Sequence, residues 1–491
     1  MRGSGVWRAV LVVALVFAAV WACVIAWWRL GEVTPGAGGI LVWLLLVPAA
    51  ILSALWGVAR IRRRRAMAES GSDDSTATGD SEPGDPPVAQ QPLEILSAAA
   101  SLGCGSDAAT LARKLAELPR PRLHPTLRDR DGLPVLAAFS AEFDTGPTEA
   151  RLRSGSGRRL GEEHLRALAL LEPVALDLFD AAARLLPPLP EVEERVIAGL
   201  RRSVAVQPRD SGGVHVVAML PQDFPQALRG DCDAWLRELA TECGLDPRRS
   251  TFEVVVEQDA GGVWRRIGKL LGEEPEQRAD WQLLLAAASS IGERGLHALA
   301  AGGRLARSGS PEGLVPGEGA AGLLLRSGAA ARAAGEQQAP VLAGLHTSAF
   351  DPTISARRAA RESGDLLAAA MEAGAVSRDD VAMVISDADQ RPSRSVEAAV
   401  AASAACPELD PAAAICALGV ASGHLGHVAP LALLAIAAER TRDAAAPVLA
   451  LSVDAPSARA AALLRSAAAE ALSEPSRTPA NETGAAPGVA A

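Results

Sequence analysis

The sequence predicts an α/β layered domain carried behind an N-terminal two-helix membrane hairpin. Three observations predict it. Two apolar runs lie within the first 60 residues, and a polar Pro/Gly/Ser/Asp-rich stretch follows them. From there on, short β-like apolar runs alternate with amphipathic helical patterns.

The hairpin comes first. Val6 to Trp28 is interrupted only by Arg8, and Ile40 to Val58 carries no charge. Each run is long enough to cross a hydrocarbon core of about 30 Å as a helix. Trp21, Trp27, Trp28, Trp43 and Trp56 suit the interfaces. A signal peptide is the rival reading of the first run, but it leaves the second unexplained. The connection from Arg29 to Gly39 is short. Arg2 and Arg8 precede the hairpin, and Arg60 and Arg62 to Arg65 follow it. Positive charge on both outer flanks places both ends in the cytoplasm of a bacterial inner membrane, where the arginines can also meet anionic headgroups. The membrane segment with its basic flank is assigned to residues 1–66. A flexible linker follows at 67–92, a folded domain at 93–472 and a polar tail at 473–491.

Within the domain, helical patterns cover Ala108–Leu118, Glu162–Leu185, Asp231–Cys243, Ser355–Ala373 and Val396–Ala405. Apolar β-like runs are Val214–Met219, Phe252–Glu257, Gln282–Ala286, Gly322–Leu325, Val381–Ile385 and Val448–Ser452. The net charge of −10 argues against broad nucleic-acid binding, which needs a basic surface. The six cysteines, Cys23, Cys104, Cys232, Cys243, Cys406 and Cys416, form no CxxC pair and no zinc-ligand spacing, which suits buried thiols in a reducing compartment.

Several chemical signals fall short. Gly262 to Lys269 imitates a phosphate loop, with one residue too many between the glycines and Leu270 where magnesium needs a hydroxyl. Gly317-Glu318-Gly319 is too short for a dinucleotide fingerprint and precedes a strand. His424 and His427 are three apart, without a nearby acidic or Cys partner for a metal. His346, Thr347 and Ser348 read as a polar turn. Asp387 and Asp389 follow a β-like run, where α/β folds place functional groups, with a solvated loop as the ordinary alternative. No GxSxG elbow is present. No cofactor and no metal are implied.

Two segments resemble the β-ketoacyl synthase branch of the thiolase-like superfamily. One runs from Asp280-Trp-Gln-Leu-Leu-Leu through Gly303-Arg304-Leu305 to Glu312-Gly-Leu-Val-Pro-Gly-Glu-Gly-Ala-Ala-Gly-Leu-Leu-Leu325. The other is Ala417-Leu-Gly-Val-Ala-Ser-Gly423-His424-Leu-Gly-His427-Val-Ala-Pro430, followed by an Ala/Leu helix. The resemblance covers about Phe252 to Leu464. It implies an α/β/α/β/α domain with two related halves, 93–338 and 339–472, and a homodimer through the strand near Phe252–Glu257.

The resemblance also implies where the family's reactive groups would fall, and most are missing. The nucleophilic cysteine's place is taken by Ala260. Asp387 to Asp389 stand where the first histidine motif belongs, Gly419 replaces the lysine, and Val453 to Ser457 replace the closing Gly-rich loop. Only His424 remains, on one of two possible registers. Condensation needs a thiolate to carry the acyl chain and donors for the developing enolate. The expectation is therefore a membrane-anchored, catalytically inactive scaffold or adaptor, such as an accessory subunit of a bacterial envelope or secretion machine. The alternative is a membrane-bound acyl-thioester transferase or hydrolase with a remodelled site built on Asp387, Asp389 or His424.

Overall fold

The computed structural model describes residues 90–466, apart from 142–143, 157–159, 187–191, 198–199, 206–212, 274–278 and 328–338. They belong to the second of two units into which the chain divides, Val88–Ala491. Both predicted membrane spans, most of the predicted linker and the predicted tail lie outside the described residues. Among the described residues, no helix is long and apolar enough to cross a membrane.

Among the described residues, ten strands form the main path of an eleven-stranded sheet, and the short Gly105–Ser106 segment pairs with the end of the first. The first half supplies β1 (Leu93–Leu102), β2 (Val214–Pro221), β3 (Ser250–Glu257), β4 (Trp281–Ser289) and β5 (Glu318–Ser327). The second supplies β6 (Pro340–Ala349), β7 (Met383–Ser386), β8 (Ile415–Ala417), β9 (Val448–Ser452) and β10 (Ala458–Ser466). The strand order is β8-β7-β9-β10-β6-β1-β5-β4-β2-β3. Each half repeats one pattern. Its first strand pairs antiparallel with its fifth, the fifth antiparallel with the fourth, and the fourth, second and third run parallel. The halves meet where Leu93 and Glu94 pair with Leu342 and Val341. Two small hairpins stand apart, Arg122–Arg128 with Pro134–Ala137 and Val192–Ile197 with Leu200–Ala205.

The helices are α1 (Ala108–Arg113), α2 (Gly146–Ser156), α3 (Glu162–Leu185), α4 (Arg229–Glu242), α5 (Ala260–Gly272), α6 (Glu293–Ala301), α7 (Ala356–Ala373), α8 (Pro392–Ala405), α9 (Gly419–Ser422) and α10 (Ala429–Ala444). The period-two alternation of a strand assigns them to layers. Along β2, Val217 and Met219 join the core around α5 and α10. Val214, Val216, Ala218 and Leu220 face α3 and α4 instead. In the second half Ile385, Ala450 and Leu464 turn to the shared central core, while Val384, Leu449 and Leu463 face α7 and α8. The result is the expected α/β/α/β/α layering, with α5 and α10 in the middle. From Ala429 to Ala438 helix α10 is buried on all sides, and that stretch is almost wholly Ala and Leu.

Several local expectations need correction. The helix expected over 108–118 ends at Arg113 and continues as a 3-10 turn, Leu115–Glu117. His346, Thr347 and Ser348 lie inside β6, opposite Ala461, Ala460 and Arg459, rather than in a turn. The phosphate-loop lookalike is the body of α5, capped at its start by Asp259 accepting from the Gly262 N–H at 3.3 Å.

Candidate functional site

The fold gathers four of the five expected positions at one end of the second half. Asp387 follows β7, and its backbone N–H still donates to Leu451 O at 3.2 Å, continuing the strand pairing. Gly419 opens α9. A Cβ there would lie 2.4 Å from Asp387 O and 2.7 Å from Ala388 O, so no lysine or other side chain fits. His424 sits in the following turn, its N–H donating to Val315 O at 2.9 Å. That bond joins the two segments that carry the family resemblance. It requires Gly423 at φ +63°, where a Cβ would approach Val315 O to 2.9 Å. Ala260 is the first residue of α5 and is buried. Its helix start is tied to the same region through Asp259, which accepts from Ser457 Oγ at 3.0 Å.

Asp387 and Asp389 are not on a solvated loop; they are 5% and 1% exposed. A buried carboxylate survives only with partners, and each has them. Asp387 accepts from Ser452 Oγ at 2.6 Å, Val453 N–H at 2.6 Å and Asp454 N–H at 3.1 Å. Asp389 receives Arg391 Nε on both oxygens at 2.8 Å. Another nitrogen of the same guanidinium donates to Asp454. The second Asp454 oxygen lies 2.7 Å from His424 Nδ1. Arg391 and Asp454 are the members that sequence reasoning missed. Asp454 was legible only as part of a replaced loop, and Arg391 carried no signal at all.

Electrostatics follow from this wiring. Burial, reinforced by the Asp454 charge, pushes the Asp387 carboxyl up to about 6, against its three hydrogen bonds. Burial opposes an imidazolium at His424, but the adjoining Asp454 carboxylate wins and raises its pKa. Burial likewise opposes the Asp454 anion, yet His424 and Arg391 hold it down to about 2. With protons on Asp387 and His424, two carboxylates face two cations and the cluster is balanced. His427 differs. It is buried on the other side of its turn, 3.1 Å from Ala287 O, and burial lowers it to about 4, so the two histidines do not converge.

These shifts fix a sign. Asp387 binds its proton more tightly folded than unfolded, so its contribution is complete below 3.8 and is lost as pH rises to about 6. His424 adds a further loss as pH climbs past 6.5. Asp454 acts oppositely, contributing above 3.8 and losing it as pH falls to about 2. Wild-type stability therefore declines between pH 4.5 and 7 more steeply than that of Asp387→Asn. We expect the wild-type decline over this interval to exceed that of the variant by about 1–3 kcal/mol in parallel denaturation curves. Identical slopes would show that Asp387 is ionised throughout.

The space beside Asp387 and Asp454 is small. The cavity between Asp387, Gly419, Ser422, Leu425 and Asp454 holds about 10 Å³, room for one water. Among the described residues, burial disfavours the thiolate of every cysteine. Burial pushes Cys104 and Cys232 up to about 12 and raises Cys243, Cys406 and Cys416. The His424–Asp454 pair is partly accessible, its imidazole 24% exposed.

The Gly-Glu-Gly segment beside the site is an anchor. Glu318 is fully buried and accepts from Arg166 Nε at 2.8 Å, Arg166 Nη2 at 2.5 Å, Ser140 N–H at 2.9 Å and Ser289 Oγ at 3.0 Å. It fixes the start of β5, and Val315 just before it receives the His424 N–H.

No described protein family matches the sequence, and no curated protein matches it significantly. Solved structures do match. A ketosynthase from module 6 of the Bacillus subtilis bacillaene synthase superposes with TM-score 0.53 at 13% identity, over 76% of this chain and 71% of that one. The fold is thiolase-like, of the ketosynthase kind. The oxazolomycin ketosynthase domain of Streptomyces albus gives TM-score 0.51 at 14% identity, over 76% and 74% of the two chains. A β-ketoacyl synthase from Burkholderia phymatum gives 0.51 at 14%, over 76% and 99%. At such identities the ketosynthase likeness is one of fold, and activity has to be argued from the residues.

Proposed function

We propose that this protein is a membrane-anchored scaffold or adaptor built on a ketosynthase-like fold that does not catalyse condensation. One observation carries the reading. The positions where the reactive groups would fall are joined by a buried ionic network of Asp389, Arg391, Asp454 and His424, with Ala260 at the start of α5 and a water-sized cavity between Asp387 and Asp454. Thioester chemistry needs a nucleophile and room for an acyl chain, and neither is supplied there. A role in a bacterial envelope or secretion assembly fits a tethered domain of this kind. The apolar runs and flanking arginines support the anchor and a cytoplasmic domain. The half-exposed edge strand β3 supports a homodimer, because an unpaired edge invites a symmetric copy.

A second reading keeps enzymatic activity. The partly exposed His424–Asp454 pair favours it, since a carboxylate-oriented imidazole can serve as a general base. It predicts hydrolysis or transfer of an acyl thioester that disappears in His424→Ala.

Native mass spectrometry of the full chain separates these readings. The scaffold reading expects recovery from the membrane fraction, twice the chain mass, and no adduct or turnover with acyl thioesters or a cerulenin-like electrophile. A covalent acyl adduct would sink it. Recovery from the aqueous fraction would remove the anchor, and a monomer mass would remove the dimer.

A further inference from the structure

The hairpin Arg122–Arg128/Pro134–Ala137 exposes what a soluble surface normally hides. Leu123, Leu133 and Leu136 are 62%, 60% and 37% exposed. Single exposed leucines are ordinary, but these are contiguous. Leu123 and Leu136 are cross-strand partners, and with Leu133 they wall a groove of about 540 Å³. The opposite wall is the 305–315 segment, and Pro392 closes one side. Val396 and Val400, one and two turns beyond Pro392, are also exposed and continue the apolar surface along α8. The hairpin is not loose. Its alternate residues Val135 and Ala137 are buried, and Val135 packs with Leu296, Leu299 and Leu314.

Charge identifies the occupant. Segments 119–136 and 302–313 carry exposed Arg120, Arg122, Arg128, Arg130, Arg304 and Arg307 against three acids, in a chain of net charge −10. Of those acids, Asp129 spends one oxygen on the N–H groups of Asp131 and Leu133, Glu312 is bonded to Ser393, and Asp131 meets Arg307 only at 4.0 Å on the exposed surface, which leaves the segments net positive. Leucines ringed by arginines match the acyl boundary and phosphates of an anionic bilayer.

We propose that this hairpin face docks on an anionic membrane surface. Leu123, Leu133 and Leu136 enter the headgroup boundary and the arginines pair with lipid phosphates. The inference deepens the anchored-scaffold reading and rests on it. A tether makes the second contact intramolecular, so a weak surface affinity is enough to hold the domain down.

The test uses the full chain with Leu133→Cys carrying an environment-sensitive dye, against the same labelling of the parent chain. The chain is placed in nanodiscs of phosphatidylcholine alone or mixed with phosphatidylglycerol. Docking gives a blue shift only in the anionic discs, reversed by high salt. Arg130→Gln and Arg304→Gln each lower the docked-to-free ratio about fivefold. Leu123→Glu with Leu136→Glu abolishes the shift while the far-ultraviolet spectrum and disc retention are unchanged. Unchanged emission in both lipids overturns the proposal while leaving the anchor, as does an equal shift in both. Emission that changes only on adding a soluble acidic protein overturns it in favour of a protein partner. If the chain does not stay in the discs, the anchor fails, and adding anionic discs to the free chain still tests the hairpin.

Discussion

Replacing Arg391 with methionine will destabilise the domain by about 3–5 kcal/mol, the usual cost of removing one partner from a buried ionic network. Arg391 is the only cation that bridges Asp389 and Asp454 among the described contacts. Methionine fills similar volume, so the loss is electrostatic rather than a cavity. Asp389 would keep only the N–H of residue 391 on its carboxylate, and Asp454 would keep only His424. Both are at most 5% exposed, so bulk solvent does not take the guanidinium's place. The expected result is a lower unfolding midpoint for the β-sheet signal of the full chain, partly recovered in Arg391→Met with Asp389→Asn. An unchanged midpoint would mean that the cluster is hydrated and the site is open, which would favour the enzymatic reading.

Glu318→Ala will have a comparable effect, about 3–5 kcal/mol, for the same reason on the other side of the site. The carboxylate is 0% exposed and satisfies four donors. Its removal takes the counter-charge from Arg166 and strands the Ser140 N–H. Because Glu318 fixes the segment that holds the His424 turn through Val315, hydrogen exchange should quicken at His424 as well as along β5. A double-mutant cycle with Arg166→Met isolates the pair, and the coupling should exceed 1 kcal/mol, within the range of about 0.5–3 kcal/mol for residues in contact. Independent, additive losses would show that Glu318 acts through packing alone.

Much of the fold was legible because its signals are local. Helix α3 runs over Glu162–Leu185 and β9 over Val448–Ser452, as their patterns predict. Strand β1 was not legible. Its Ser-Ala-Ala-Ala-Ser stretch carries helical propensity, and it becomes a strand because it pairs with β5 over nine positions. Helix α5 was obscured by its glycines. Gly262 sits where Glu257 approaches, and Asp259 caps the helix start.

The candidate site divides along the same line. The sequence by itself determined that residue 260 carries only a methyl group and residue 419 no side chain, which are covalent facts. It also pointed to Asp387, Asp389 and His424. Only the tertiary structure decided that these groups are buried and joined. Arg391 and Asp454 are 63 residues apart, and they meet because parallel β7 and β9 end side by side. Local pattern cannot encode such a meeting. Charge complementarity across a sheet edge exists only after long-range pairing has brought the strand ends together.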